Sequence, residues 1–280
     1  DKFGGNVSIN GNYVIIGASD DGDNGLLSGS AYIFKRQNDG NWVQSSKLNA
    51  SDGSAYDLFG NSVSISDDYA IVGAYGNDDQ GINSGSAYIY SRQVDDSWIQ
   101  NYKLTASDGM ADDYFGYSVA TNDDVAIIGA YLDDDQGTNS GSAYVFVRQN
   151  DGSWIQSNKL TASDGATNDY FGRNVAISGN HVIVGAYGNG VSGGSAYIFT
   201  WQNDGNWLQS NKLTARDGAI DDNFGLSVAI SDDYAIVGAF ADDDNGVSSG
   251  SAYIFNRKND GSWAQNSKLT ANDGAIDDYF

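Results

Sequence analysis

The spacing of apolar and polar residues in the middle of the chain predicts four short β-strands in succession. Apolar and polar positions alternate over residues 115–120, which is typical of a strand. The continuous apolar run 125–130 fits a strand buried on both faces. Two further strands are predicted over residues 142–147 and 153–160, joined by a hairpin turn at Asp151-Gly152. Short connections between these strands predict one antiparallel meander.

This pattern recurs along the whole chain. The phrase Asp-x-Phe-Gly occurs five times, and a sixth, truncated copy closes the sequence; the Phe positions are 3, 59, 115, 171, 224 and 280. A fixed period of this length is the signature of a stacked array or a propeller. The repeats are assigned to residues 3–58, 59–114, 115–170, 171–223 and 224–279.

A single meander cannot bury both of its faces, whereas meanders packed around an axis can. The sequence therefore predicts an all-β fold, a β-propeller of five four-stranded antiparallel blades forming one domain over residues 1–280. The alternative is that the five blades are a segment of a seven-bladed propeller or of a longer repeat array.

The composition strengthens the all-β prediction. All 37 acidic residues are Asp, and the chain has no Glu, Pro or Cys. Asp favours turns because its short side chain bonds nearby backbone N–H groups. The absence of Cys excludes a disulfide framework and thiol chemistry.

The formal net charge of −23 argues against nucleic acids and anionic membrane surfaces as partners. Nucleic-acid binding requires clustered Lys and Arg, and an anionic membrane surface repels an acidic protein. We therefore expect neither a nucleic-acid partner nor membrane insertion. Cations and basic surfaces remain suitable partners.

Two short motifs in each repeat resemble those of the FG-GAP repeat, which also builds the propeller of integrin α subunits. Phe-Gly opens the first strand, and Gly-Ala closes the second at positions 17–18, 73–74, 129–130, 185–186 and 238–239. The third residue of the family's Gly-Ala-Pro is never Pro here, which is a departure from the family pattern. The resemblance implies a propeller whose acidic loops bind calcium.

An acidic loop follows Gly-Ala in four of the five repeats. Oxygen-bearing residues stand at alternate positions before a Gly; they are Asp21 and Asp23, Asn77 and Asp79, Asp133 and Asp135, and Asp242 and Asp244. Such spacing suits a hard cation, so these residues are the candidate Ca²⁺ ligands. The alternative is that the Asp residues form Asx turns in a solvated loop. The fourth repeat has Gly188-Asn189-Gly190-Val191-Ser192-Gly193 instead and serves as a control.

A second pair of aspartates recurs between repeats, beside a Lys-Leu pair on the fourth strand. The pairs are Asp52 and Asp57, Asp108 and Asp113, Asp164 and Asp169, Asp217 and Asp222, and Asp273 and Asp278. We interpret them as structural residues whose carboxylates accept backbone N–H bonds and fix the turn into the next blade.

The residues required for catalysis are scarce. The chain has one His, His181, which is expected at the surface at the start of a strand, and no catalytic motif. Aspartate clusters that recur across the repeats, rather than occurring once, indicate architecture rather than one active site. We therefore expect no enzymatic activity. The Trp residues that open the fourth strand are expected to pack between blades.

These observations lead to two functional hypotheses. The first is an extracellular, secreted or cell-surface, calcium-binding propeller that acts as an adhesion or ligand-binding module toward a protein or glycan. The second is a structural protein that self-associates into an extracellular fibre or matrix.

Overall fold

The computed structural model describes residues 1–190 and 193–280, and the strands in these ranges form five four-stranded sheets. Within each sheet the strands follow chain order, and neighbouring strands are antiparallel. The first sheet contains β1 (Val7–Asn10), β2 (Tyr13–Ala18), β3 (Ser30–Arg36) and β4 (Trp42–Leu48). The second contains β5 (Ser62–Ile65), β6 (Tyr69–Ala74), β7 (Ser86–Arg92) and β8 (Trp98–Leu104).

The remaining sheets repeat this plan. The third contains β9 (Ser118–Thr121), β10 (Val125–Ala130), β11 (Ser142–Arg148) and β12 (Trp154–Leu160). The fourth contains β13 (Val175–Ser178), β14 (His181–Ala186), β15 (Ser195–Trp201) and β16 (Trp207–Leu213). The fifth contains β17 (Phe224–Ser231), β18 (Tyr234–Ala239), β19 (Ser251–Arg257) and β20 (Trp263–Leu269).

The fold class predicted from the sequence is confirmed, since the described residues contain five antiparallel propeller blades and no helix. None of the described residues belongs to a helix that could span a membrane. The chain divides into two compact units, residues 1–130 with 144–157 and residues 131–143 with 158–280. Each unit is described by itself.

The recurring Phe-Gly and Gly-Ala motifs bring the backbones of successive sheets together. A Cβ on Gly73 of the second sheet would lie 1.9 Å from the carbonyl oxygen of Gly116, which precedes the third sheet. The same approach joins Gly17 to Gly60 and, in the other unit, Gly185 to Gly225. Only glycine permits this contact. In these three pairs, the two motifs therefore allow one sheet to pack closely against the next.

The core lies between successive sheets. In the first compact unit, Ile15, Ile33 and Leu48 of the first sheet share a cluster with Val63 and Ile65 of the second. In the other unit, Ile183, Ile198 and Leu213 of the fourth sheet cluster with residues of the fifth; these include Val237, Tyr253, Phe255 and Trp263. Because both faces of an inner sheet are used in this way, its strands read as continuous apolar runs.

Candidate functional site

The acidic loops connect the second and third strands of their sheets, and the first oxygen-bearing residue of each loop is buried. Asp133 is 3% exposed, and its Oδ1 accepts hydrogen bonds from Ser142 Oγ at 3.1 Å and from the backbone N–H of Asp135 at 3.1 Å. Asp242 makes the same contacts with Ser251 and Asp244. The bond to the residue two positions ahead is an Asx turn, so the loop contains the turn that was the alternative to a metal site.

The two carboxylates of a loop converge on one positive charge. Lys159 Nζ lies 2.9 Å from Asp133 Oδ2 and 2.5 Å from Asp135 Oδ2. In the fifth sheet, Lys268 Nζ lies 3.1 Å from Asp242 and 2.6 Å from Asp244. The remaining loops have the same partners, with Lys47 held by Asp21 and Asp23, and Lys103 held by Asp79.

The register between the third and fourth strands of a sheet determines the position of this lysine. Lys268 faces Tyr253 across the β19–β20 ladder, and Lys47 faces Tyr32 across β3–β4. The lysine therefore projects toward the loop that enters the third strand. In the sequence, these lysines stand close only to the inter-repeat aspartates. Their one-per-repeat period was the signal that could have revealed the contact with the loops.

The same lysine also contacts the linker that precedes its own sheet. Lys268 Nζ lies 2.8 Å from Asp217 Oδ2, and Lys103 Nζ lies 2.6 Å from Asp52 Oδ2. In the fourth sheet, Lys212 Nζ lies 2.6 Å from Asp164 Oδ2. One ammonium group thus joins a linker to a loop, and its charge balances several carboxylates.

These contacts shift the pKa values of both partners. Burial alone would lower the pKa of Lys268, but hydrogen bonds to Asp217 and Asp244 outweigh it and raise that pKa. Burial would raise the pKa of Asp242, but hydrogen bonds from Lys268 and Tyr253 lower it. Both groups are therefore held in their charged forms at neutral pH.

The other aspartate of each linker is a turn residue. Asp57 Oδ2 accepts the backbone N–H of Ser54 at 2.8 Å, and Asp222 Oδ2 accepts that of Ala219 at 2.7 Å. The corresponding bonds of Asp113, Asp169 and Asp278 come from Met110, Ala166 and Ala275. Burial raises the pKa of Asp57 and of Asp222.

The fourth repeat lacks the carboxylates and keeps the lysine contact. Asn189 Oδ1 accepts hydrogen bonds from Lys212 Nζ at 2.7 Å and from Ser195 Oγ at 2.9 Å. Asn189 Nδ2 donates to Asp169 Oδ2 at 2.6 Å. Val191 and Ser192 of this loop lie outside the described residues. Asn189 thus occupies the same position as Asn77 of the second repeat, and the fourth loop is an internal control because its sequence has no Asp to match Asp79. Within the described ranges, no group of three or more His, Cys, Asp or Glu residues is arranged to hold a metal ion.

Comparison with known proteins identifies the repeats. The model of the FG-GAP repeat family matches five times, over residues 1–34, 42–90, 98–146, 154–199 and 207–255. The chain belongs to the FG-GAP repeat family. Each match over residues 42–255 begins at the fourth strand of one sheet and ends within the third strand of the next, so the family's repeat is shifted relative to the sequence assignment.

An FG-GAP fold is consistent with the structural comparison. The chain is similar to a protein from Lactobacillus plantarum whose crystal structure is known, with a TM-score of 0.60 and 14% identity. The match covers 96% of this chain and 72% of that protein. This likeness shows the fold alone. No curated protein matches the sequence.

One expectation about this FG-GAP chain is wrong. His181 was expected at the surface, but it is 9% exposed and its ring lies 6.1 Å from that of Trp263 in the next sheet. It occupies the place that Tyr13 has against Trp98. Trp98, Trp154 and Trp263 pack against Tyr13, Tyr69 and His181 of the preceding sheet, as expected. Trp42 of the first sheet is 40% exposed and does not follow the expectation.

Proposed function

We propose that this FG-GAP chain is an extracellular calcium-binding β-propeller that acts as an adhesion or ligand-binding module. The observation that carries the proposal is the convergence of Asp133 and Asp135 on one cationic centre, repeated by Asp21 with Asp23 and by Asp242 with Asp244. Two carboxylates aimed at one point are the oxygen arrangement that a hard cation uses. The resemblance to integrin propellers supports the same assignment.

Calcium enters such a loop by exchange with the lysine ammonium. A divalent ion offers twice the charge of Lys159 Nζ to the same two carboxylates, and the lysine, on a flexible stem, turns toward solvent. Because the ion must displace a residue that is already paired, we expect weak sites. Calcium affinities in the range of about 0.1–1 mM are typical of extracellular modules.

The partner of this module is a protein or a glycan on a cell surface or in a matrix. With a net charge of −23, the chain attracts cations and basic surfaces, and calcium bridges it to polar groups that it would otherwise repel. We propose that the chain works by presenting this surface and has no enzymatic activity of its own. Ligand binding that depends on the loops weakens in chelator and in high salt.

Isothermal titration calorimetry with Ca²⁺ tests the assignment. We expect four sites, in the loops of the first, second, third and fifth repeats, and a higher melting temperature in calcium than in chelator. The variant Asp133→Ala with Asp135→Ala should bind one ion fewer. Asn189→Ala in the fourth repeat is the matched control and should leave the stoichiometry unchanged. If no heat of binding appears at millimolar calcium, the loops are lysine-paired turns and the proposal fails.

A second candidate function is the self-association of the chain into a fibre or matrix. The apolar contact between successive sheets recurs with the same residue types, as Ile15, Ile33 and Leu48 in one compact unit and Ile183, Ile198 and Leu213 in the other show. This recurrence, which is independent of the acidic loops, favours contact between copies.

A further inference from the structure

A pocket lies between the fourth and fifth sheets, at the end of these sheets opposite the acidic loops. Both sheets belong to one compact unit, and the hairpin turns between first and second and between third and fourth strands lie at this end. The volume of the pocket is about 390 Å³, within the range of small-molecule sites. The residues that line it include Thr200, Ser210 and Asn211 of the fourth sheet and Arg257, Gly261 and Ser262 of the fifth.

The equivalent place between the first and second sheets is filled by a carboxylate of the chain itself. Asp96, in the hairpin turn of the second sheet, accepts hydrogen bonds from Tyr13 Oη at 2.7 Å and Arg92 Nη1 at 3.1 Å, and it forms an ion pair with Lys35. The hydrogen bond from Lys35, together with those from Tyr13 and Arg92, lowers the pKa of Asp96. Two cations and a hydroxyl thus hold a carboxylate in its charged form at this place.

Three of these four residues differ at the pocket. The replacements, by position in the repeat, are His181 for Tyr13, Thr200 for Lys35 and Gly261 for Asp96. Arg257 keeps the place of Arg92. The hairpin turn of the fifth sheet therefore directs no carboxylate toward the arginine, and the pocket is the space that such a side chain fills in the other compact unit.

Arg257 lines this pocket with most of its hydrogen-bonding capacity unused. Within the described residues, its side chain makes one hydrogen bond, from Nη1 to Asp233 Oδ1 at 3.5 Å. Its counterpart in the third sheet, Arg148, donates to Asp124 Oδ1 from Nε at 2.9 Å and from Nη2 at 2.6 Å, and lies over the ring of Tyr69. A guanidinium has five N–H donors in a planar fork that matches a carboxylate. Arg257 therefore has donors to spare for a ligand, whereas Arg148 is already paired.

The wall formed by the fourth sheet offers neutral polar groups. Thr200 Oγ1 donates to Ser210 Oγ at 3.0 Å, and Ser210 donates to the carbonyl oxygen of Ile198 at 3.2 Å. Because the hydroxyl proton of Thr200 is used in this way, its oxygen accepts the Nδ1–H of His181 at 3.2 Å. The side chain of Asn211 has no hydrogen-bond partner in the described ranges. Hydroxyls and an amide at this wall suit the hydroxyl groups of a ligand.

We propose that this pocket binds a sugar acid. Its carboxylate pairs with Arg257 in the place that Asp96 fills in the second sheet, and its hydroxyl groups bind Thr200, Ser210 and Asn211. The inference rests on the proposed function as a ligand-binding module and narrows its glycan partner to one that carries a carboxylate. It involves neither calcium nor the acidic loops.

The local charges around the pocket permit a carboxylate despite the acidic net charge. Charges more than about 8 Å away are largely screened at physiological salt. Near the pocket, Arg257 and Lys258 balance Asp233 and Asp260. Asp260 Oδ1 is itself paired with the backbone N–H and the hydroxyl of Ser262 at 3.0 and 2.7 Å. Since no lysine occupies the place of Lys35, we expect millimolar affinity.

The single histidine of the chain gives a site-specific measurement. His181 is bonded to Thr200, so its imidazole C–H signals in proton NMR report on the pocket. Sodium glucuronate, glucose and sodium acetate are added in turn at neutral pH with chelator present. We expect a saturable shift with glucuronate. Glucose lacks the carboxylate and acetate lacks the hydroxyls, so each should bind about tenfold more weakly or worse, as for one lost charge-assisted hydrogen bond.

Two variants of the pocket have matched controls in the third sheet. Arg257→Gln removes the fork and should weaken glucuronate binding about tenfold or more. Gly261→Asp supplies a carboxylate from the turn and should abolish binding. Its Cβ would meet nothing within 4 Å, and Asp96 adopts the same left-handed backbone, with φ of 64° against 84°. The controls Arg148→Gln and Gly152→Asp make the same changes and should leave binding unchanged. Circular dichroism should show an unaltered β spectrum for every variant.

The outcomes decide the proposal independently of calcium. A saturable shift with glucuronate that is lost in Arg257→Gln and Gly261→Asp, and kept in both controls, supports it. No shift with glucuronate, or a shift that Gly261→Asp retains, overturns it. Equal affinities for glucuronate and glucose, or for glucuronate and acetate, overturn the assignment to sugar acids. Because chelator is present throughout, failure here is distinguishable from failure of the calcium sites, which calorimetry tests separately.

Discussion

Lys268 Nζ lies 2.8 Å from Asp217 Oδ2, so the outer strand of the fifth sheet is tied to the linker that precedes that sheet. The same ammonium reaches Asp242 and Asp244 of the acidic loop. A linker, a strand and a loop, which are distant in sequence, are joined by one charge. The lysine therefore supplies within the chain the positive charge that crowded carboxylates require.

Replacing Lys268 should destabilise the protein by leaving three carboxylates without their cation. We expect Lys268→Met to lower the free energy of unfolding by about 1–3 kcal/mol, the usual cost of an unsatisfied, partly buried polar partner. Urea unfolding in chelator measures the loss. Lys258→Met, in an exposed turn, is the control and should change stability by less than about 0.5 kcal/mol. Equal effects of the two variants would show that the lysine contacts contribute nothing specific.

The contribution of Asp242 to stability should depend on pH. Its pKa is lowered in the folded state, so its stabilising effect is complete above the unfolded pKa of about 3.9 and is lost as pH falls through the folded value. We expect Asp242→Asn to be less stable than the unmodified chain at pH 7, with a gap that narrows below pH 4. Urea unfolding at pH 7, 5 and 3 gives the gap directly. A stability difference that stays constant with pH would be inconsistent with this account. The control Asp232→Asn, at an exposed turn, should show almost no difference in stability from the unmodified chain at any of these pH values.

His181 should make the fourth sheet sensitive to mild acid. Burial lowers its pKa in the folded state, so the protein loses stability as pH falls from the unfolded pKa of about 6.5 toward the folded value. Tyrosine fills this place in other sheets, as Tyr13 does against Trp98. We expect His181→Tyr to fold normally and to remove this pH dependence. Thermal unfolding of the unmodified chain and of His181→Tyr between pH 7.5 and 5 is the measurement. An equal loss of stability in the two proteins would show that His181 is not the source of the pH dependence.

The close approach of Gly73 to Gly116 should make the Gly-Ala motif intolerant of any side chain. A Cβ at position 73 would lie 1.9 Å from the Gly116 carbonyl oxygen, and both belong to backbone that cannot move independently. We expect Gly73→Ala to cost about 3 kcal/mol or more, at the upper end for overpacking. Gly22→Ala is the control, because its nearest contact would be an ordinary 3.5 Å. Similar stabilities of the two variants in urea would contradict the role given to the motif.

The fold was predictable because its determinants are local and repeated. The apolar run at residues 125–130, the Asp-Gly turn at 151–152 and the recurring Phe-Gly each signal an element without reference to the rest of the chain. The lysine contacts were not predictable from the sequence. Lys268 contacts Asp217 only because of the register of β19 with β20 and the packing of the sheet on the linker that precedes it. His181 was misplaced for a related reason, since its burial depends on Trp263 of the next sheet.

The exposure of individual strand residues was equally hard to predict from the sequence. Val7 and Val63 occupy the same place in their repeats, yet one is 62% and the other 4% exposed. Position in the repeat determines which way a side chain faces, but only the neighbouring sheet determines whether that face is covered. A repeat pattern therefore predicts the blades better than it predicts the surface.

Crystal structures of the protein, determined from crystals grown with and without 10 mM calcium, test the proposed function most directly. The account predicts that an ion appears between Asp133 and Asp135 and in the equivalent loops of the first, second and fifth repeats, with Lys159 and its counterparts turned toward solvent. The loop of the fourth repeat, whose sequence has Asn189 and no Asp, should contain none. Unchanged lysine–carboxylate contacts in all four acidic loops, with no ion at millimolar calcium, would contradict it.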